Sequence, residues 1–137
     1  MILLDTHVWI WWVDGSKKLT KGHVSYLESC EDDGLGVCVT SCWEAAMLFS
    51  KGRLTLKPDV MPSVSSWITG ALSYPGIVLL DLTPAIAVAS CELPGRFHKD
   101  PADRIIVATA REYDTDLVTT DKKIIKYPHV KIINFRK

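Results

Sequence analysis

At 137 residues, with 47% of them hydrophobic and 23% charged, the chain has the size of one domain that buries roughly two thirds of the surface its unfolded form would expose. Sixteen basic residues balance sixteen acidic ones, so overall charge argues neither for nor against a nucleic-acid partner, although four acids gathered in one site would leave the basic residues in excess by four elsewhere. No apolar run approaches the roughly 18 residues of a membrane span, and the start, MILLD, lacks the basic and apolar pattern of a secretory signal, so a cytoplasmic location is expected. Cys30, Cys38, Cys42 and Cys91 form no Cys-x-x-Cys pair and have no histidine at zinc-finger spacing; they read as reduced core residues.

Taken in chain order, the apolar burst at 2–4 reads as a strand ending at Asp5, and Thr6 to Val13 as a helix carrying Trp9, Trp11 and Trp12. At helical spacing these indoles cannot all share one face, so they serve either as sheet cover or, in part, as an interface. A second helix is predicted over Thr20 to Ser29 and a strand over 36–39. Ser41 then stands as an N-cap with Glu44 three residues on and Gly52 as the stop. A helix from Pro62 to Leu72 precedes a strand at 77–80. Thr83 followed by Pro84 opens a helix to about Leu93, and Asp100 followed by Pro101 opens another to Tyr113. Strands at 117–119 and 130–135 close the chain.

The short strands are apolar throughout rather than alternating, as parallel strands covered on both faces are. Residues 1–137 are therefore expected to form a single α/β domain, a three-layer α/β/α sandwich around a mostly parallel sheet of about five strands.

In such a sheet the residues just past the strand C-termini face one crevice. Asp5, Glu44, Asp103 and Asp121 all fall at or near such positions. Each has a local explanation as well: Asp5 and Asp121 can cap helices, and Glu44 and Asp103 can complete capping boxes with Ser41 and Asp100. Together they form an all-oxygen donor set of the kind that suits Mg²⁺ or Mn²⁺ better than zinc. A hard divalent cation beside a phosphodiester lowers the pKa of an attacking water and stabilises charge on the phosphoryl oxygen.

The segments LLDTHVWIWW, TSCWEAAML, DPADRIIVATA and LVTTDKKI, in that order and at that spacing, resemble the PIN-domain ribonucleases, specifically the VapC-like toxins of bacterial and archaeal toxin-antitoxin pairs. The resemblance implies a PIN-like fold and a Mg²⁺- or Mn²⁺-dependent endoribonuclease with RNA as substrate. It also implies that Asp5, Glu44, Asp103 and Asp121 are the catalytic and metal-holding quartet, that Thr6 and either Thr119 or Thr120 are orienting hydroxyls, and that a cognate antitoxin inhibits the activity. Asp100 is assigned to the helix cap. Trp43 is a large neighbour for Glu44 and is expected to narrow the cleft.

Lys99, Arg104, Lys122 and Lys123 border the proposed crevice and are the expected contacts to RNA phosphates. A two-fold homodimer is expected as the commonest symmetric assembly. The four histidines have no helical ligand spacing and read as structural or surface residues, with His7 alone near the crevice. Two other readings compete. In a response-regulator-like receiver, the strand ending at Asp81 would supply the phosphoacceptor, but the chain lacks the adjacent acidic pair and the Lys-Pro such a module needs. A catalytically silent PIN-like binding module would keep the fold and lack the chemistry.

Overall fold

The computed structural model describes residues 1–54 and 63–136. Strand β1 (Ile2–Leu4) passes through Asp5 alone into helix α1 (Thr6–Asp14), and α2 (Lys21–Ser29) follows. Strand β2 (Leu35–Cys38) runs directly into α3 (Val39–Ser50). Then come α4 (Val64–Leu72), β3 (Ile77–Leu80), α5 (Pro84–Cys91), α6 (Pro101–Glu112), β4 (Leu117–Thr119), α7 (Lys122–Ile125) and β5 (Ile132–Asn134).

The helix starts follow from local chemistry. The Thr83 hydroxyl accepts from the Ile86 N–H, and the Asp100 carboxylate accepts from the Asp103 N–H. Pro84 and Pro101 occupy first-turn positions, where a missing N–H costs nothing.

All five strands are parallel, in the order β3-β2-β1-β4-β5. Leu3 sits in register with Gly36 on one side and Leu117 on the other. The chain therefore builds outward from β1 to β2 and β3, then returns to the other side of β1 for β4 and β5. Chain direction diverges between β1 and β4, and a crevice opens there beyond the strand ends.

The alternation of side chains along β1 divides the core. Ile2 and Leu4 join Val37 and Val118 beneath Val8, Trp9, Trp12, Leu27 and Trp67 from α1, α2 and α4. Leu3 joins Leu80 and Leu117 beneath Ile86, Ile106, Val107 and Ile124 from α5, α6 and α7. This is the expected three-layer α/β/α arrangement. Trp9 is fully buried with its ring 5.3 Å from that of Trp67, so truncation to alanine costs about 3–5 kcal/mol. Trp12 is also buried, and Trp11 is half-buried, so the tryptophan cluster is mainly sheet cover.

Several expectations change. Ser41 is not a cap: α3 begins at Val39 with Cys38 as its N-cap residue, because β2 turns into the helix without an intervening loop. Ser41 lies inside the helix and faces α1, where the Thr6 hydroxyl donates to it at 2.9 Å. Pro62 lies outside the described residues, and the helix predicted there begins at Val64 with Ser63 as its cap. Cover on both sheet faces fails at the edge strand β3, where Val78 and Leu79 are exposed. The predicted strands at 36–39 and 130–135 are observed as 35–38 and 132–134, and α5 stops at Cys91 rather than Leu93. All four cysteines are free, but Cys91 is on the surface rather than in the core.

Candidate active site

Asp5 is held at the switch point between β1 and β4. As the N-cap of α1 it accepts from the Thr6 N–H at 2.8 Å through Oδ1, while the Thr119 hydroxyl at the end of β4 donates to Oδ2 at 2.7 Å. Thr119 in turn accepts from the Asp121 N–H at 3.0 Å, so one buried hydroxyl ties the two strand ends together. Asp121 caps α7 by accepting from the Lys123 N–H at 2.9 Å. Asp5 and Asp121 thus cap their helices and are also joined to each other through Thr119.

Glu44 lies in the second turn of α3. With Ser41 removed as a cap, no capping box claims it. Its Oε1 is buried and has no hydrogen-bond partner among the described residues. Such an atom is costly to bury unless something else meets it.

Asp103 lies in the first turn of α6, its N–H satisfied by Asp100, which is the cap as expected. Its carboxyl is pushed up to about 8, first by burial and then by the charges of Asp5, Asp100, Asp121 and Glu44. Burial also raises Asp5, against the lowering effect of its two hydrogen bonds, with Glu44 adding to the rise and His7 opposing it. Four acids from four separate segments therefore act on one another. Among the described residues, no three His, Cys, Asp or Glu side chains stand placed so that they could hold a metal ion as they are. The acids share one electrostatic region without forming a closed cage.

The other predicted residues divide. The Thr119 hydroxyl contacts both Asp5 and the Asp121 N–H. Thr6 orients Asp5 through its backbone N–H, while its hydroxyl serves Ser41. Thr120 is half-buried, and its carbonyl accepts from Arg136 at 3.3 Å. Lys99, Lys122 and Lys123 are exposed at the rim. Arg104 is largely engaged within the fold: Nε donates to the Ser90 carbonyl at 2.9 Å, and Nη1 donates to those of Phe97 and His98 at 3.2 Å each. A fork with several fixed donors is well suited to pinning a loop, and here it does so. Trp43 is 57% exposed and stands over an apolar groove of about 340 Å³ between the first turns of α3 and α6, with Leu82 and Ile105 on its other side.

Sequence reasoning missed His98. Its Nε2 lies 3.1 Å from Asp103 Oδ2, within ion-pair reach although not aligned as a hydrogen bond. A search by helical ligand spacing cannot find it, because it sits on the loop before α6. Its place five residues before Asp103, with Asp100 and Pro101 between, was the available signal.

An all-parallel α/β/α domain with acids at its switch point is the architecture of a PIN domain, and residues 2–130 match that family, described as PIN domain. The chain belongs to the PIN-domain family. It is 32% identical over 128 residues to Ribonuclease VapC22 of Mycobacterium tuberculosis (strain ATCC 25618 / H37Rv), covering 93% of this chain and 92% of that one. Its fold is shared with VapBC2 from Rickettsia felis bound to a promoter DNA fragment, at TM-score 0.72 and 19% identity over 98% of both chains. A toxin-antitoxin complex from Klebsiella pneumoniae is similar at TM-score 0.68 and 18% identity, over 100% of this chain and 99% of that one.

Proposed function

We propose that this protein is a metal-dependent endoribonuclease of the VapC type, in which Asp5, Glu44, Asp103 and Asp121 hold Mg²⁺ or Mn²⁺. The observation that carries the reading is the placement of Asp103, whose carboxyl is pushed up to about 8, first by burial and then by the charges of Asp5, Asp100, Asp121 and Glu44, with no lysine or arginine among the groups acting on it. A cluster of like charges lowers stability and is difficult to explain as scaffolding. The unpartnered Oε1 of Glu44 and the all-oxygen donor set fit a hard cation. The relative named a ribonuclease supports RNA as the substrate.

The bound cation would supply Lewis acidity toward a phosphoryl oxygen and make an attacking water more acidic. The protein's own part is to hold Asp5 fixed between Thr6 and Thr119, to keep Asp121 on the same hydroxyl, and to present Glu44 from α3. Lys99, Lys122 and Lys123 at the rim are suited to RNA phosphates. Hydrolysis leaves a 5′-phosphate.

Neutralisation by a cognate antitoxin and a two-fold dimer complete the reading. An antitoxin arginine would pair bidentately with carboxylates of this cluster. The receiver alternative is set aside by the family, and Asp81, exposed beyond the edge strand, is not among the charges acting on Asp103.

The test is RNA cleavage by the purified protein with Mg²⁺ or Mn²⁺ and with chelator. Cleavage with metal only, lost in Asp5→Ala, is expected. Equal cutting under both conditions would refute the metal role, and no cutting under either would favour the silent binding module. Light scattering that shows only a monomer at micromolar concentration would remove the dimer.

A further inference from the structure

Two consecutive residues of α6 grip His98, one through its side chain and one through its backbone. Asp103 sets Oδ2 3.1 Å from the imidazole Nε2, and Arg104 donates to the carbonyls of His98 and Phe97, both at 3.2 Å. Arg104 also donates to the Ser90 carbonyl near the end of α5, so a single guanidinium ties both ends of the segment joining α5 to α6. The middle of that segment is fixed as well: Leu93 is buried, and the Tyr127 hydroxyl donates to the Pro94 carbonyl. The Phe97 ring lies 4.4 Å from that of His98 and 4.8 Å from that of Tyr127. The imidazole is therefore built into a strap, with Nε2 shielded from solvent.

Nothing in the scaffold requires this. Arg104 and Tyr127 already hold the strap through backbone carbonyls, and the first turn of α6 is already capped by Asp100. Besides the contact of its ring with Phe97, the side chain of His98 adds a fixed nitrogen within ion-pair reach of one oxygen of Asp103. Carboxylates that bind cations are commonly oriented by a second group, and removal of such a group typically weakens metal binding ~10- to 100-fold.

We propose that His98 is a positioning residue that holds Oδ2 of Asp103 and leaves Oδ1 as the oxygen available to a divalent cation. The inference rests on the metal-dependent reading above. In it, Arg104 acts at one further remove by fixing the backbone that carries the imidazole. The acidic site is thereby coupled to the α5–α6 strap through a side chain of the quartet as well as through the Asp103 N–H on Asp100.

The experiment is calorimetric titration of the full chain with Mn²⁺ alone at one pH, comparing wild type with His98→Gln and His98→Leu. Glutamine keeps an N–H donor, and leucine keeps apolar bulk against Phe97 without one. His98→Leu should bind Mn²⁺ ~10- to 100-fold more weakly, and His98→Gln should remain close to wild type. Equal binding by His98→Leu and wild type overturns the inference and leaves the metal reading intact. Equal weakening in both variants also overturns it, because packing of the ring rather than its donor would then matter. A wild type that binds no Mn²⁺ overturns the metal reading and the inference with it. Should His98→Leu not fold, imidazole nitrogen spectra of the wild type decide: Mg²⁺ should move the His98 signals and leave those of His129 in place, and an unmoved His98 overturns the proposal.

Discussion

The two ends of helix α6 handle the same side chain in opposite ways. At its start, Asp103 has a carboxyl only 14% exposed, surrounded by other acids and pushed up to about 8. Just past its end, Asp114 adopts φ 50°, which aspartate tolerates better than most residues, and its carboxylate is 88% exposed beside Lys131 at 2.8 Å. There the hydrogen bond and charge of Lys131 lower the Asp114 carboxyl. That end of the sheet also carries an open hollow of about 470 Å³ among Arg111, Asp114, Thr115, His129 and Lys131, with both signs of charge in water. A hollow alone does not mark the chemistry. The end where strand direction diverges gathers acids partly out of water, and ionising them there costs stability unless a ligand meets the charge.

The largest expected contrast is in cleavage. Asp103→Asn should reduce metal-dependent RNA cutting to background in a fixed-time gel assay, while Asp114→Asn should cut like wild type. Loss in both would erase the distinction between the two ends.

Metal should stabilise one end selectively. With Mg²⁺ at a hundredfold its Kd, wild type and Asp114→Asn should each gain about 2.7 kcal/mol over the chelated protein, and Asp103→Asn should gain clearly less. Thermal melts read the difference. In chelator above about pH 8, where the Asp103 carboxyl is ionised, Asp103→Asn should melt above wild type, because removing one of several like charges relieves repulsion and its backbone N–H still meets Asp100.

Thr119→Val should cost about 1–3 kcal/mol in chemical denaturation, since it leaves the buried Asp5 Oδ2 and the Asp121 N–H without their shared partner. Thr119→Ser should recover most of this. A valine variant as stable as the serine one would mean that the hydroxyl contributes nothing to holding the strand ends.

The pH dependence has a defined sign. The Asp103 carboxyl titrates near 3.8 when unfolded and at about 8 when folded, so the folded state holds the proton more tightly. Its contribution to stability is fully present below about 3.8 and is lost as pH rises through about 8. Metal-free wild type should therefore melt at a lower temperature at pH 9 than at pH 6, and Asp103→Asn should flatten that slope. Apparent Mg²⁺ affinity should rise over the same interval, because the carboxyl must lose its proton to serve as a ligand. A melting temperature that climbs with pH in chelator would contradict the placement of Asp103. The smallest effect belongs to the exposed pair: Asp114→Asn should leave the melting temperature nearly unchanged, as surface ion pairs contribute little.

Much of the site was legible without coordinates, for a physical reason. The caps at Thr83 and Asp100, with their prolines, are hydrogen bonds closed within three residues, and a chain segment carries all the information they need. The strand at 2–4 and the acid after it, and the strand at 117–119 with Asp121 beyond, are equally local patterns, and the general rule that parallel strand ends face one crevice was enough to put Asp5 and Asp121 near one another. Tertiary structure decided what depends on separate segments meeting. The order β3-β2-β1-β4-β5, which puts Asp5 beside Thr119, is a contact across 114 residues. Ser41 looked like a cap by sequence offset, but β2 ran straight into the helix and turned its hydroxyl toward Thr6, 35 residues away. Arg104 looked directed to phosphate, yet two carbonyls of the loop before its own helix and one near the end of α5 hold Nε and Nη1. His98 had no spacing to betray it, because an imidazole on a loop meets Asp103 only after that loop is tied down. Hydrogen bonds within a turn are set by residue type and spacing, whereas those between distant segments form only once burial of the two faces of the sheet has brought the segments together.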